Sequence, residues 1–251
     1  MKEWIYQQTV EVGAFFVHRL ERLIAWGSRI GNAPFFDRTT FPWVAELERS
    51  WPAIRRELDV VLQRQEELPA FHEISRDQAR ISDSRWKTFF LYAYGFKAEG
   101  NCARCPETTR IVEAIPGMKT AFFSILGPGK HIPAHRGPYK GVIRCHLGLL
   151  VPEPRERCRI RVDDTVASWR EGEVMLFDDT YNHEVWNETG GVRVVLFLDV
   201  VRPLRFPANL LNALLLKLIA ASPYVQDGVE NYKRWERKFD AMGTDARRTA
   251  A

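Results

Sequence analysis

The sequence has no uncharged apolar run of the roughly twenty residues that a membrane-spanning helix requires. The nearest stretch is PANLLNALLLKLIAASPYV (207–225), and Lys217 stands in its middle. No crossing of a bilayer is therefore predicted. Cysteine is scarce, with Cys102, Cys105, Cys145 and Cys158 the four in 251 residues. Cys102-Ala-Arg-Cys105 has the spacing of a redox pair or of half a zinc site. No second CxxC or Cys/His pair follows at zinc-ribbon distance, so thiols in a turn are expected. Cys145 and Cys158 alternate with apolar residues and read as small buried hydrophobes; all four suit a reducing compartment. There is no dense basic block, and a net charge of +4 is mild, so no nucleic-acid partner is expected. Internal repeats and low-complexity segments are absent, which argues against a solenoid and against disorder outside the tail GTDARRTAA. The first residues, MKEWIYQQTVEVGAFFVHRLERL, carry charges through their apolar part and do not read as a secretory signal. The expected location is cytoplasmic, with peripheral contact at the inner face of the membrane as a second reading.

What is present is aromatic and globular. Apolar content is 45% and charge 27%, with eight Trp and fifteen Phe, a composition that fits a well-filled β-core better than a coiled coil. Residues 3–30 recur apolar at helical spacing. A second helical region is predicted over 41–65, interrupted at Pro52, with Ser50 as its N-cap. WKTFFLYAYGF (86–96) is β-prone, and PETTRIVEAIPG (106–117) reads as a short helix stopped by Pro116-Gly117. From residue 118 the apolar period becomes two. Short strands follow one another at about ten-residue spacing between turns, the pattern of a sandwich or jelly roll. After Arg202-Pro203 the helical pattern returns, apolar over 208–221 and polar over 228–240. The expected organisation is an N-terminal helical region (1–117) packed on a mainly β core (118–204), then C-terminal helices and a tail (205–251), together one structural domain.

His135 and His183 are the chemistry-bearing residues of the β region, each in a strand-like stretch. Neutral imidazole is a common ligand for Fe, Zn and Cu, and two on neighbouring strands can hold a metal with positions left open. Singly, each is more often a satisfied structural histidine. The residue two after His135 is Gly137, where an iron facial triad has Asp or Glu. Asp178 or Asp179, just before His183, is open to two readings: the missing acid, or support that fixes a histidine tautomer. Arg144 and His146 alternate with Ile143, Cys145 and Leu147, so both project to one side of a strand. That side is a lined cavity or a solvated sheet face.

Several blocks in order, PGKHIPAHRGP, IRCHLGLLVP, CRIRV, WREGEVMLFDDTYNHEVWN and RVVLFLDVVRP, resemble the aspartyl/asparaginyl β-hydroxylase family of iron(II)/2-oxoglutarate dioxygenases, which includes bacterial lipid A hydroxylase-like members. The resemblance spans residues 124–203, with weaker similarity upstream in NAPFFD, WKTFFLYAYG and CPETTRIVEAIPG. It implies a double-stranded β-helix, cupin-like, as the core. It further implies Fe(II) held by His135 and His183, and 2-oxoglutarate and O2 as co-reactants in hydroxylation of an unactivated carbon. Arg193 would meet the distal carboxylate of 2-oxoglutarate together with Ser124, while Arg144 and His146 would lie near its other end. Gly137 agrees with family members whose iron site has two histidines and no acid. A planar guanidinium suits a carboxylate, and Arg193 lies in the apolar strand VRVVLFLDV, where an unpaired charge is costly. The other reading of Arg193 is an ion pair with Asp199.

Two substrate classes fit. An Asp or Asn side chain in a peptide or a small molecule would suit basic residues near the mouth such as Arg136, Lys140 and Arg161. A lipid acyl chain would suit 207–225 lying on a membrane surface, although packing of those helices over the barrel explains the same residues. A reading from another class is a non-catalytic, cupin-like module that binds a metal or a small molecule.

Overall fold

Alternation of apolar residues over two faces builds the central strands. The computed structural model describes the backbone of residues 20–249 and the side chains through residue 239. Among the described residues there are eleven strands: β1 (Phe35–Phe36), β2 (Trp86–Ala93), β3 (Phe96–Lys97), β4 (Met118–Leu126), β5 (His131–His135), β6 (Val142–Leu150), β7 (Cys158–Val162), β8 (Thr165–Ser168), β9 (Val174–Phe177), β10 (His183–Asn187) and β11 (Arg193–Val201). They form a seven-stranded sheet in the order β1-β9-β6-β11-β4-β2-β3 and a four-stranded sheet in the order β5-β10-β7-β8. Every pairing is antiparallel. The architecture is mainly β with flanking helices, the jelly roll that the sequence leads one to expect.

β11 lies between β4 and β6 and is buried on both faces. Its Val194, Leu196, Leu198 and Val200 join a core with Leu47, Ile54 and Leu58. Those residues belong to helices α2 (Val44–Arg49) and α3 (Trp51–Leu62). The alternate residues Val195 and Phe197 face Ile132, Ile160 and Val185 of the smaller sheet. A strand covered on both sides reads as a continuous apolar run, and Arg193 and Asp199 interrupt the inner face alone.

Three strands come from before residue 118. β2 places Trp86 and Phe90 in the inner core and Phe89 and Leu91 in the outer one, and pairs with β4 from Trp86↔Leu126 onward. The sheet therefore extends upstream of residue 118 through the stretch read as β-prone, because WKTFFLYA has the two-faced pattern of a central strand. Ser50 joins α2 to α3, and its side chain makes no capping bond; its hydroxyl is 3.5 Å from Glu46 instead. Cys102 and Cys105 are not in a turn: both are buried around α5 (Glu99–Arg104) and the start of α6 (Pro106–Glu113). Of the helix expected over 3–30, residues 20–27 are helical and are termed α1; the part before residue 20 lies outside the described residues.

At the C-terminal end, α7 (Ala208–Ala221) and α8 (Pro223–Thr249) meet at a 47° bend. α8 is fastened where Asn231 Nδ2 donates to Ile74 O and Trp235 Nε1 to Glu67 O, each at 3.0 Å. It thereby closes one side of the space between the sheets.

Candidate active site

The β5–β10 pairing sets His183 directly opposite His135, with ring centroids 4.1 Å apart. The Nδ1 of His135 lies 2.8 Å from Pro133 O and that of His183 lies 3.0 Å from Tyr181 O. A carbonyl only accepts, so both Nδ1 atoms carry the proton and both Nε2 atoms keep a lone pair. This is the tautomer that a metal-binding imidazole needs. Burial pushes the pKa of His135 below the usual value, and burial together with His135 brings His183 down to about 3. Two neutral imidazoles with available Nε2 lone pairs fit a divalent iron. Among the described residues, no group of three or more His, Cys, Asp or Glu forms a metal cluster.

The missing acid has a steric explanation. A Cβ built on Gly137 would stand 2.0–2.5 Å from the carboxyl carbon and both oxygens of Asp179. Gly137 N also donates to Asp179 O at 2.7 Å. The space a side chain at 137 would take is thus filled from residue 179. Asp179 is buried, its Oδ2 is 2.7 Å from Arg144 Nη2, and its Oδ1 has no hydrogen-bond partner. Asp178, by contrast, is fully engaged. Its Oδ2 receives Lys140 Nζ at 2.7 Å and the buried guanidinium of Arg202, and its Oδ1 receives Thr180 Oγ1 at 2.6 Å. Asp178 holds the 137–141 and 178–180 loops in place, which removes it as a ligand. Lys140 is spent on that ion pair, so it is not a mouth residue. Arg161 pairs with Glu184 at 3.0 Å and is not among the residues lining the cavity described below.

Arg193, Ser124, Arg144 and His146 converge on the inner face of the large sheet. Arg193 is 2% exposed, lies over the Trp169 ring at 4.6 Å, and makes one marginal contact with Ser124 O at 3.5 Å. Its Nε has no partner. Asp199 is not its counter-ion, because Asp199 accepts from Arg144 Nε at 2.8 Å. Burial lowers the Arg193 pKa to about 10, so the cation persists at neutral pH without a carboxylate beside it. Ser124 Oγ accepts from Trp86 Nε1 at 3.0 Å, which leaves its own proton free to donate. Trp169 Nε1 donates to His146 Nδ1 at 3.3 Å, so the proton of His146 is on Nε2, which is buried and unpartnered. The side of β6 that bears Arg144 and His146 is therefore a lined interior, not a solvated face. These orphaned donors fit a small dicarboxylate.

Sequence reasoning missed Trp86 and Trp169, which orient Ser124 and His146, and the Gly137–Asp179 contact. The indole in VASWREGE gave no sign of its partner, since Trp169, just after β8, reaches His146 of β6 only through the fold.

From His135, Arg144 and Asp179 a cavity of about 760 Å³ runs between the sheets, walled by Phe90, Phe122 and Phe197 and closed by Val225, Val229 and Tyr232 of α8. Phe122 lies 4.5 Å from Phe90 and 4.2 Å from Phe197, centroid to centroid.

An ornithine lipid ester-linked acyl 2-hydroxylase of Rhizobium tropici is 52% identical over 227 residues, 87% of this chain and 81% of that one. The human aspartyl/asparaginyl β-hydroxylase is 33% identical over 165 residues, 64% of this chain and 21% of the longer enzyme. The chain thus spans most of the bacterial relative and about a fifth of the human one. A Pseudomonas putida prolyl-4-hydroxylase aligns in structure over 61% of this chain and 88% of its own at 16% identity, with a TM-score of 0.39. The aspartyl/asparaginyl β-hydroxylase family model matches residues 48–203, the span from α2 to the end of the barrel. The chain belongs to the aspartyl/asparaginyl β-hydroxylase family.

Proposed function

We propose that this protein is an Fe(II)- and 2-oxoglutarate-dependent dioxygenase that hydroxylates a lipid acyl chain at the carbon next to its ester carbonyl. The observation that carries this reading is the cavity, a largely apolar space that takes in His135 and Asp179 and is otherwise walled mainly by aromatic and aliphatic side chains. Such a space suits hydrocarbon, since each buried methylene contributes about 0.8 kcal/mol. A peptide carboxylate would find Arg136 and Arg144 near the mouth and no further cationic wall. Arg144 is already paired with Asp179 and Asp199, and Arg136 donates to Thr180 O. The name of the 52% identical Rhizobium relative supports the acyl substrate.

Bound Fe(II) and 2-oxoglutarate supply the oxidising power: O2 is consumed, the cosubstrate leaves as succinate and CO2, and one oxygen atom enters the substrate C–H bond. The chain's residues bind and orient. His135 and His183 hold iron through Nε2. Arg193 neutralises the distal carboxylate of 2-oxoglutarate while the Ser124 hydroxyl donates to it, and His146 Nε2–H donates towards the other end. Phe122 and Phe197 exclude water and align the chain. Charge-assisted bonds in such a dry site are worth about 1.5–3 kcal/mol each, enough to hold a small diacid without a preformed anion.

The test is succinate formation from 2-oxoglutarate with Fe(II), and a lipid product heavier by one oxygen on the carbon next to the ester. His135→Ala and His183→Ala are expected to abolish both. Arg193→Met is expected to abolish 2-oxoglutarate binding in calorimetry and yet leave the apo fold as stable or about 1–2 kcal/mol more so, because an uncompensated buried cation has been replaced by an apolar chain. If the wild type neither binds 2-oxoglutarate nor forms succinate, the non-catalytic, cupin-like binding module takes the place of this proposal. Succinate formation without any lipid product would move the substrate to a peptide.

A further inference from the structure

α7 carries a buried stripe, which the barrel uses, and an exposed leucine stripe, which it does not. Ala208, Asn212 and Leu216, spaced by four, are buried; Asn212 accepts from Tyr139 at 2.5 Å and donates to Gly141 O at 3.0 Å. Residues two further along lie about 200° around the helix. There Leu210, Leu214 and Leu218 are 60%, 55% and 58% exposed. α1 docks at the start of the same helix, where Arg205 N donates to Gly27 O and Ile24 packs on Ala208. Phe206 and Trp26, at that end, are the two most exposed large hydrophobics among the described residues. A contiguous apolar surface of this kind marks an interaction site.

We infer that this face is a docking surface for a bilayer with anionic headgroups, and that it delivers the lipid substrate sideways into the cavity. Charge and continuity select that occupant. Arg205 and Lys217 are exposed, and no Asp or Glu occurs from residue 205 to 226; the stripe is apolar with a basic margin, the composition of a helix lying in a membrane interface. Leu218 belongs to both surfaces, since it is exposed and also lines the cavity, with Leu215 and Ile219 of the same helix beside it. An acyl chain leaving the bilayer along α7 would pass Leu218, Leu215 and Ile219 on its way to Phe122 and Phe197, which line the same cavity. α7 and α8 taken together are long and apolar enough to cross a membrane as a bent pair. The buried Asn212 bonds tie α7 to Tyr139 and Gly141, and Asn231 and Trp235 tie α8 to Ile74 and Glu67, so the helices lie on the surface.

The inference names the partner of the proposed active site and rests on the lipid reading. Its test is binding without iron or 2-oxoglutarate, so the two can fail separately. The protein is sedimented with vesicles of phosphatidylcholine alone or mixed with phosphatidylglycerol. The wild type is expected to bind the mixed vesicles more tightly, and to lose that advantage in high salt. Leu210→Glu and Leu214→Glu are each expected to weaken binding about tenfold or more. Leu214→Gln should weaken it less, and Val166→Glu, an equally exposed position on β8, should leave it unchanged. Unchanged melting temperatures show that the exposed substitutions spare the fold. Vesicle binding that is absent, or equal in wild type and Leu214→Glu, overturns the inference. So does a wild-type dimer that Leu214→Glu turns into a monomer, which would give the face to a second copy. Retention of the protein in membranes after alkaline carbonate washing overturns the surface-lying placement. Vesicle binding without lipid hydroxylation would leave the surface in place and sink the substrate assignment.

Discussion

Gly137 and Asp179 act as one unit although 42 positions separate them. One residue supplies emptiness and the other fills it with a carboxylate whose Oδ2 holds Arg144 and whose Oδ1 has no partner. Gly137→Ala is therefore expected to force the Asp179 carboxylate aside, because the added Cβ would stand 2.0 Å from Oδ2. Overpacking of this kind costs about 1–3 kcal/mol, and loss of the Arg144 pair should lower hydroxylation. Asp179→Gly alone leaves Arg144 with Asp199 and should also lower activity. The double variant Gly137→Ala/Asp179→Gly should recover the stability lost in Gly137→Ala, since the clash is gone. Urea unfolding of the four proteins reads this coupling directly, and additive losses would mean that the two side chains do not compete for one space. Nothing in the local sequence reveals this pairing; what the sequence does show is the absence of an acid after His135, and the reason for it lies in another loop.

At the scale of elements, what was legible follows the range of the forces involved. β4, β6 and β11 were readable because alternation along one strand records two buried faces, and Arg193 stood out because a charge in such a strand needs a partner. The tryptophan partners of Ser124 and His146 were not readable, because sheet order and not sequence brings them there. The role of α8 was equally hidden: Val229 and Tyr232 read as parts of a polar helix and Val225 as the end of the apolar stretch before it, yet all three close the cavity. Val229→Trp fills that space from the α8 side. The expected outcome is a shift of hydroxylated product towards shorter acyl chains, each excluded methylene being worth about 0.8 kcal/mol of binding. Succinate formation in the absence of lipid should stay at the wild-type rate. Mass spectrometry of chain lengths in the product checks it, and an unchanged length profile would place the acyl chain elsewhere.

For the molecule as a whole, the large sheet is a partition between two cores with different duties. The outer core, against α2 and α3, is apolar throughout; the inner core, against the small sheet, carries Arg193, His146 and Arg144 among its aromatics. Neighbouring residues of β11 separate the two. Leu196 faces the helices and Phe197 faces the cavity, where its ring lies 4.1 Å below the Arg144 guanidinium. Both are largely buried, so truncation of either creates a void, with a cost of about 2–5 kcal/mol for Leu196→Ala and 3–5 kcal/mol for Phe197→Ala. Their effects on chemistry should differ. Leu196→Ala is expected to lower the denaturation midpoint and keep the wild-type rate per folded molecule, because no atom of the site touches that side chain. Phe197→Ala removes a wall of the acyl channel and the ring beneath Arg144, so lipid turnover should fall even where the protein is fully folded, and the ratio of succinate to hydroxylated lipid should rise as the unaligned chain escapes oxidation. Rates measured at a temperature where both variants are folded, with succinate and lipid product counted together, distinguish the two faces. Equal losses per folded molecule would mean that the cores are not separate and that packing on either side of the sheet governs the site.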